Sequence, residues 1–191
     1  KGTGCSFIVN GKTEIHLNTI GEHNVMNALA AFAVGEKLGL SIPEIVSGLA
    51  KFKPTGLRQN ITEKNGIILI NDTYNANLSS MKAALDVLAS FQQKTGKTVC
   101  VLGDMLELGT QSEEIHREVG EYVQKKKISQ AFFIGKDAYF IKQGAGFGDW
   151  FANKAEFLDF AAKNKTTFEN AAILIKASRG MAFEEIAEKI Q

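Results

Sequence analysis

Residues 71–77, with the sequence NDTYNAN, place several hydrogen-bonding side chains between an apolar run and a helical pattern. A turn from a strand into a helix needs one N-cap, which Asn77 or Ser79 could supply. A carboxylate at the end of a strand can accept hydrogen bonds from ribose hydroxyls, and Asp72 is the candidate for that contact. An Asx turn is the alternative for Asp72, but it accounts for one of these polar groups and not for the whole set.

Two further segments carry side chains suited to a nucleotide. Asn24 and Asn27 lie three residues apart at the start of a predicted helix, and a carboxamide can pair with the N6/N7 edge of adenine. Alternatively, Asn24 caps the helix and Asn27 is a surface residue. Arg58 could clamp a phosphate with two hydrogen bonds, or it could be an ordinary surface arginine.

The segment KASRG follows the last predicted strand, and its residues Lys176, Ser178 and Arg179 are placed to receive an anion near the next helix. The segment GDMLELG contributes Asp104 and Glu107, which we interpret as exposed, solvated acids, with a functional role as the alternative.

The three histidines make no ligand set, so we expect no metal site in this chain. His116 lies between Ile115 and Arg117 in a predicted helix, and we expect it at the surface.

The composition of the 191-residue chain argues against some classes of function. A count of 22 lysines and arginines against 21 acidic residues gives a formal net charge of +1, which disfavours a nucleic-acid surface built on bulk basicity. No apolar stretch approaches the ~20 residues needed to cross a bilayer, and no signal-peptide pattern is present. Cys5 and Cys100 have neither metal nor redox spacing, so we expect reduced thiols in a cytoplasmic protein.

Two patterns of secondary structure meet near residues 53–60. Before this segment the sequence predicts a hairpin over 5–20 with an Asn-Gly turn, and helices over 22–39 and 41–52. Pro54 and Gly56 break the pattern, so we predict a domain boundary there. The chain lacks an initiator Met and contains no G-x-x-x-x-G-K-[ST] motif. We therefore expect a part of a longer protein, with any nucleotide phosphates held outside it.

After the boundary, apolar runs alternate with helical patterns. The predicted strands are 66–70, 98–103, 131–135 and 171–176. The predicted helices are 78–92, 112–127, 137–143, 154–164 and 181–190. This alternation is typical of an α/β fold with a Rossmann-like, mostly parallel sheet and helices on both faces. Ligands of such sheets bind at the carboxyl ends of the strands, so we expect the polar loops there to share one edge.

Five motifs occur in the order and at roughly the spacings of a known family: GEHNVMNALAA, GLRQ, NDTYNANLSSMKAAL, VLGDMLELG and KASRGM. Along essentially its whole length, the chain resembles the Mur ligases. The resemblance implies that residues 1–55 are the carboxyl-terminal part of a central ATP-binding domain and that residues 56–191 are the Mur ligase carboxyl-terminal domain.

The same resemblance implies an activity. It points to an ATP-dependent ligase of peptidoglycan precursor synthesis that adds D-Ala-D-Ala to UDP-N-acetylmuramoyl-tripeptide through an acyl phosphate. ATP and Mg²⁺ would be the cofactors, with the metal ligands outside this chain, and the isolated chain is expected to be inactive because it lacks the P-loop. The expected partners are the two substrates, with no nucleic acid and no membrane, and the expected state is a cytoplasmic monomer.

The resemblance also implies which residues bind the nucleotide. Asn24 and Asn27 would lie against adenine, while Arg58 and Asp72 would contact the nucleotide across the cleft between domains. Asn75 would line that cleft. Arg58 would also be catalytic, because it would complete the site only when the domains close.

For the other substrates, the resemblance implies that Asn77 lines the cleft and that Ser178 and Arg179 lie toward the incoming dipeptide. Leu78 and Ala177 depart from the residues common in the family, Pro and Gly, and neither change removes a polar group. A hypothesis of a different class stays open: a stand-alone, non-catalytic module that binds a nucleotide or a peptide.

Overall fold

The computed structural model describes residues 4–54 and 56–190. The chain divides into two compact units, Lys1–Thr55 and Gly56–Gln191. Among the described residues, no helix has both the length and the apolar character needed to cross a membrane.

The first unit contains an antiparallel hairpin followed by two helices. Its elements are β1 (Cys5–Val9), β2 (Thr13–Leu17), α1 (Glu22–Lys37) and α2 (Ile42–Ala50). Asn10 and Gly11 form the hairpin turn with φ of 52° and 67°, as the predicted Asn-Gly turn requires. Ile15 from the hairpin packs with Phe32 of α1 and Ile45 of α2, so one small core holds the hairpin and both helices together.

The second unit alternates strands and helices along most of its length. Its elements are β3 (Asn60–Lys64), β4 (Ile67–Asn71), α3 (Leu78–Ser90), α4 (Gln92–Thr95), β5 (Thr98–Gly103), α5 (Ser112–Lys125), β6 (Gln130–Ile134), α6 (Ala138–Ala145), β7 (Asp149–Phe151), α7 (Lys154–Lys163), β8 (Ala172–Lys176) and α8 (Glu184–Ile190). Short 3₁₀ helices lie at Gly109–Gln111, Lys165–Thr167 and Arg179–Met181.

The strands of this unit form one sheet in the order β3-β4-β8-β5-β6-β7. All neighbouring strands are parallel except β3 and β4, which form an antiparallel hairpin. The predicted mostly parallel α/β fold is therefore confirmed. Because β8 lies between β4 and β5, the last strand of the chain brings its carboxyl end to the middle of the sheet.

Two edge strands, β3 and β7, were not predicted from the sequence. The residues of β3, NITEK, are partly or fully exposed, and β7 has only three residues, DWF. Neither segment has the continuous apolar run that marks a strand buried on both faces.

Helices cover both faces of the sheet. Val101 and Ile173 of the sheet pack in one cluster with Phe157 of α7, with Phe183 directly before α8 and with Ile186 of α8. Helix α3 contacts β5 and β8, helix α6 contacts β6, and α5 packs against both of these helices. This double cover buries the central strands and leaves the loops at their carboxyl ends as the accessible edge.

Candidate functional site

The loops that follow β4, β5, β6 and β8 meet at the carboxyl edge of the sheet, as predicted. The backbone N–H of Ser178 donates to the carbonyl oxygen of Asp104 at 3.0 Å. The N–H of Leu106 donates to Ser178 Oγ at 2.9 Å, and the N–H of Ala138 donates to Asp104 Oδ1 at 2.6 Å. Hydrogen bonds thus join three of the loops, and an ion pair joins the fourth.

That ion pair lies between Asp72 and Lys176, both buried. Lys176 Nζ donates to Asp72 Oδ2 at 2.6 Å and to the carbonyl oxygen of Asn75 at 2.8 Å. The other carboxylate oxygen, Asp72 Oδ1, accepts the backbone N–H of Gln59 at 3.1 Å. The carboxylate therefore joins the loop after β4 to the end of β8 and to the residues before β3.

The strand register explains why these two residues meet. Asn71 pairs with Ile175 across the parallel β4–β8 ladder, so the next residue of each strand falls side by side. Burial lowers the pKa of Lys176, while the adjacent Asp72 carboxylate opposes this shift. Lys176 was predicted to receive an anion, and the anion that it holds in this structure is Asp72.

Arg58 is exposed and stacks on an aromatic ring. Its guanidinium carbon lies 3.9 Å from the centroid of the Tyr74 ring. The backbone N–H of Tyr74 donates to the carbonyl oxygen of Leu57 at 3.1 Å, which fixes the ring beside the arginine. Stacking occupies one face of the guanidinium and leaves donors at its edge, where a planar fork can bind a carboxylate or a phosphate.

The asparagines of the NDTYNAN segment organise its backbone. Asn77 is the N-cap of α3, and its Oδ1 accepts the backbone N–H of Ser80 at 2.8 Å. Asn75 is exposed, and its Oδ1 accepts the N–H of Ala76 at 2.8 Å. Of the two candidates for the N-cap of α3, Asn77 and Ser79, the structure therefore selects Asn77.

A groove of about 500 Å³ opens between these loops. It is lined by Tyr74, Asn75, Ala76, Asn77, Leu106, Glu107, Leu108, Ser178, Arg179 and Gly180. Arg179 is exposed and pairs with Glu184 at 3.0 Å, whereas Ser178 is buried. The groove thus combines leucine side chains with one acidic and one basic residue, which suits a small ligand that carries both apolar and charged groups.

The predicted site residues divide between the two units. The second unit holds six of them at the sheet edge: Arg58, Asp72, Asn75, Asn77, Ser178 and Arg179. In the first unit, the Asn24 amide donates to Thr19 Oγ1 at 3.1 Å and to the carbonyl oxygen of Ile20 at 2.8 Å, whereas Asn27 is exposed.

Two expectations about titratable residues were wrong. His116 is fully buried instead of lying at the surface, and its Nε2 accepts the backbone N–H of Met105 at 2.9 Å. Asp104 is only 8% exposed instead of solvated, and burial raises the pKa of its carboxyl group, while the N–H of Ala138 opposes this shift. Glu107 is exposed, as expected.

A signal for His116 was present in the sequence. The buried residues of α5 are His116, Val119, Gly120 and Val123. This spacing of i, i+3, i+4 and i+7 defines one face of a helix, and it places the histidine on the core side in spite of its charged neighbours. By contrast, the Asp104 carboxylate lies against the loop after β6, where it accepts the N–H of Ala138, and no local pattern predicts this contact.

Among the described residues, no group of three or more His, Cys, Asp or Glu side chains is arranged to hold a metal ion.

Comparison with known proteins gives a family match over most of the second unit. Residues 58–189 match the family described as "Mur ligase, glutamate ligase domain". The chain is 37% identical to the UDP-N-acetylmuramoyl-tripeptide–D-alanyl-D-alanine ligase of Bacillus subtilis, with 98% of this chain and 42% of the relative covered. It is 36% identical to the enzyme of the same name from Escherichia coli, with 95% of this chain and 40% of the relative covered.

Solved structures of MurF ligases also match this chain. A crystal structure of MurF from Acinetobacter baumannii matches with a TM-score of 0.85 and 34% identity, over 93% of this chain and 39% of that one. The MurF ligase of Thermotoga maritima in complex with ADP matches with a TM-score of 0.80 and 25% identity, over 97% of this chain and 42% of that one. The chain thus spans about two fifths of the length of the curated relatives that it matches.

Proposed function

The chain belongs to the Mur ligase family, and from this premise we propose that it acts as the carboxyl-terminal part of an ATP-dependent ligase. The proposed reaction joins D-Ala-D-Ala to UDP-N-acetylmuramoyl-tripeptide with formation of a C–N bond. The observation that carries the proposal is the alignment of 95–98% of the chain with two ligases named for that reaction.

The residues that we propose to bind the nucleotide come from both units. In the second unit, the exposed Arg58 fork is held in place on Tyr74 and suits a phosphate. Asp72 has acceptor capacity beyond the two hydrogen bonds that it accepts inside the chain, since a carboxylate can accept about four. We propose that this capacity serves the ribose, with Asn75 beside it, and that Asn24 and Asn27 of the first unit serve the adenine.

The groove fits a dipeptide acceptor. A volume of about 500 Å³ lies within the range of small-ligand sites. We propose that the Arg179 guanidinium pairs with the carboxylate of the dipeptide, with Ser178 and Asn77 beside it. Leu106 and Leu108 line the same groove and can pack against the methyl groups of D-alanine.

These placements give the residues distinct tasks in the reaction. The amino nitrogen of the dipeptide would attack the acyl-phosphate carbon of the muramoyl-peptide, phosphate would leave, and the amine would lose a proton. Arg58 would stabilise charge that moves onto phosphoryl oxygens, and the groove would orient the amine. Positioning and electrostatic stabilisation account for most of the catalysis in such transfers.

Exposed apolar side chains support the assignment of residues 1–55 to a larger ATP-binding domain. Met26 and Val34 of α1 and Leu38, which directly follows it, are each more than half exposed, and Leu40 and Phe52 are about half exposed. Val34 and Leu38 are four residues apart and therefore neighbours on one side of the helix, and large apolar side chains that are exposed together are typical of a surface that another part of a protein covers. We propose that the phosphate-binding loop and the Mg²⁺ ligands lie in that other part, and that the protein works as a cytoplasmic monomer.

The test compares the intact gene product that carries this chain with the isolated chain. Each is incubated with ATP, Mg²⁺, UDP-N-acetylmuramoyl-tripeptide and D-Ala-D-Ala, and the pentapeptide product is measured by mass spectrometry together with ADP release. We expect product and stoichiometric ADP from the intact protein and neither from the isolated chain. Absence of product from the folded, intact protein would refute the proposed ligase activity, and turnover by the isolated chain would refute its dependence on another part.

A further inference from the structure

His116 is a buried residue of α5 whose two ring nitrogens both bind backbone groups. Nε2 accepts the N–H of Met105 at 2.9 Å, and Nδ1 lies 2.7 Å from the carbonyl oxygen of Ser112. A backbone N–H can only donate and a carbonyl oxygen can only accept. The ring is therefore the neutral tautomer with its hydrogen on Nδ1, and it bridges the first turn of α5 to the loop after β5.

Polar groups from neighbouring elements surround this bridge. Ser112 Oγ donates to Asp137 Oδ2 at 2.6 Å and lies 3.2 Å from His116 Nδ1. The Asp104 carboxylate, one residue before Met105, accepts the backbone N–H of Ala138, the neighbour of Asp137. None of these residues lines the groove, so the histidine can act on a ligand in the groove only through the loop that it holds.

The loop is held at two consecutive residues. Met105 is bound by His116, and the N–H of Leu106 donates to Ser178 Oγ at 2.9 Å. The next residue, Glu107, has a φ of 66°, in the left-handed region that residues with a Cβ disfavour. Because Leu106, Glu107 and Leu108 line the groove, these two hydrogen bonds set the position of one groove wall and support its disfavoured backbone.

We propose that His116 is a positioning residue for the acceptor dipeptide: through Met105 it fixes the groove wall formed by residues 106–108. This inference rests on the proposed function, which assigns the groove to D-Ala-D-Ala. It assigns a role to a residue that does not touch the ligand. Its predicted signature is a change in binding of the acceptor that is not matched by a change in binding of ATP.

Three variants separate positioning from general stability. His116→Phe keeps a planar ring and removes both hydrogen bonds, whereas His116→Gln keeps an amide oxygen that can accept the Met105 N–H. Val123→Ala, at another fully buried position of α5, is the matched control, because it weakens the packing of the helix at a residue that does not line the groove.

The first measurement is steady-state kinetics of the intact protein. For His116→Phe we expect the KM for D-Ala-D-Ala to rise ~10-fold, equivalent to about 1.4 kcal/mol of binding, with the KM for ATP changed by less than about 2-fold. His116→Gln should recover a large part of this loss, and Val123→Ala should leave both KM values near those of the wild type. Equal effects of His116→Phe and Val123→Ala on the acceptor KM would overturn the proposal.

The second measurement needs no activity and uses the 191-residue chain. Hydrogen exchange, resolved by NMR, should show the Met105 and Leu106 amides exchanging at least ~10-fold faster in His116→Phe than in Val123→Ala. Unchanged protection of Met105 would overturn the positioning role, whatever the kinetics. If the intact wild type makes no product but these amides lose protection, the ligase assignment fails and the anchoring of the loop by His116 stands.

Discussion

The buried Asp72–Lys176 pair leads to a prediction about stability. The side chain of Lys176 is 2% exposed and that of Asp72 is 12% exposed, so neither charge is well hydrated when its partner is lost. In Lys176→Met, the Asp72 carboxylate would lose its charged partner and keep the hydrogen bond from the Gln59 N–H. Removal of one member of a buried ion pair costs about 3–5 kcal/mol, because an uncompensated charge remains in the interior.

A double variant tests this cause. In Lys176→Met/Asp72→Asn the buried charge is absent, and the amide oxygen can still accept the Gln59 N–H. What remains is an incompletely satisfied neutral amide, for which we expect a cost of about 1–3 kcal/mol. The double variant should therefore be more stable than Lys176→Met alone. If the costs of the two substitutions were simply additive, the double variant would be the less stable of the two.

The assay is urea unfolding followed by tryptophan fluorescence. Trp150 is the single tryptophan of the chain and lies in the second unit, where its indole N–H donates to the carbonyl oxygen of Gly135 at 2.8 Å. With a slope of roughly 2 kcal/mol per molar urea, the midpoint for Lys176→Met should fall by on the order of 2 M. The matched control is Lys94→Met, because Lys94 pairs with Glu63 at 2.7 Å with both side chains more than half exposed. We expect that control to cost less than about 1 kcal/mol.

Two results would refute the reasoning. A loss below about 1 kcal/mol for Lys176→Met would mean that the buried pair behaves like the exposed Lys94 pair. The other result is additivity. If the free-energy costs of Lys176→Met and Asp72→Asn sum to within about 0.5 kcal/mol of the cost of the double variant, the two residues are not energetically coupled.

Three further predictions concern the second unit. Arg58→Lys in the intact protein keeps the charge but loses the planar fork of the guanidinium. We expect kcat to fall at least ~10-fold, which is about 1.4 kcal/mol of transition-state stabilisation, with little change in the KM for the dipeptide. An unchanged kcat contradicts the proposal that Arg58 clamps a phosphate. Gly120→Ala places a Cβ against the carbonyl oxygen of Ile141 in α6, so thermal unfolding should show a loss of about 1–3 kcal/mol, and a neutral result contradicts the close helix packing. Asp104→Asn keeps an acceptor for the Ala138 N–H. Because burial raises the pKa of the Asp104 carboxyl above its ordinary value of 3.8, the wild type loses stability as the pH rises from 3.8 through the raised pKa, and the stability of the variant relative to the wild type should increase over that interval. A pH-independent difference between the two proteins contradicts the assignment.

The sequence predicted the parts of the fold that local patterns determine. Apolar runs bounded by polar loops located the buried strands, and Asn10-Gly11 located a hairpin. The two short or polar edge strands had no such pattern. The two-residue segment Asn65-Gly66, with φ of 52° and 78°, is a hairpin signal of the same kind as Asn10-Gly11, but it follows a polar strand and was not recognised.

The location of the site was predictable from the sequence, but the hydrogen bonds and the ion pair that join its residues were not. The rule that ligands bind at the carboxyl ends of parallel strands brought the polar loops to one edge. Which loops bond to each other depends on register and on sheet order, and both are tertiary properties. Asp72 meets Lys176 because β8 lies beside β4, and no local spacing within residues 71–77 or 176–180 specifies that neighbour.

The crowding of polar groups in the NDTYNAN segment and its neighbouring loops follows from two different requirements at the same edge. The buried members bind one another: Asp72 with Lys176, and Ser178 with the loop that His116 holds. A buried polar group needs a partner, so these residues come in complementary sets whether or not a ligand is present. Exposed members, such as Arg58, have no such requirement and are available to a ligand. We expect substitutions of Asp72 or Lys176 to lower the free energy of unfolding first, and substitutions of Arg58 to change kinetics at nearly unchanged stability.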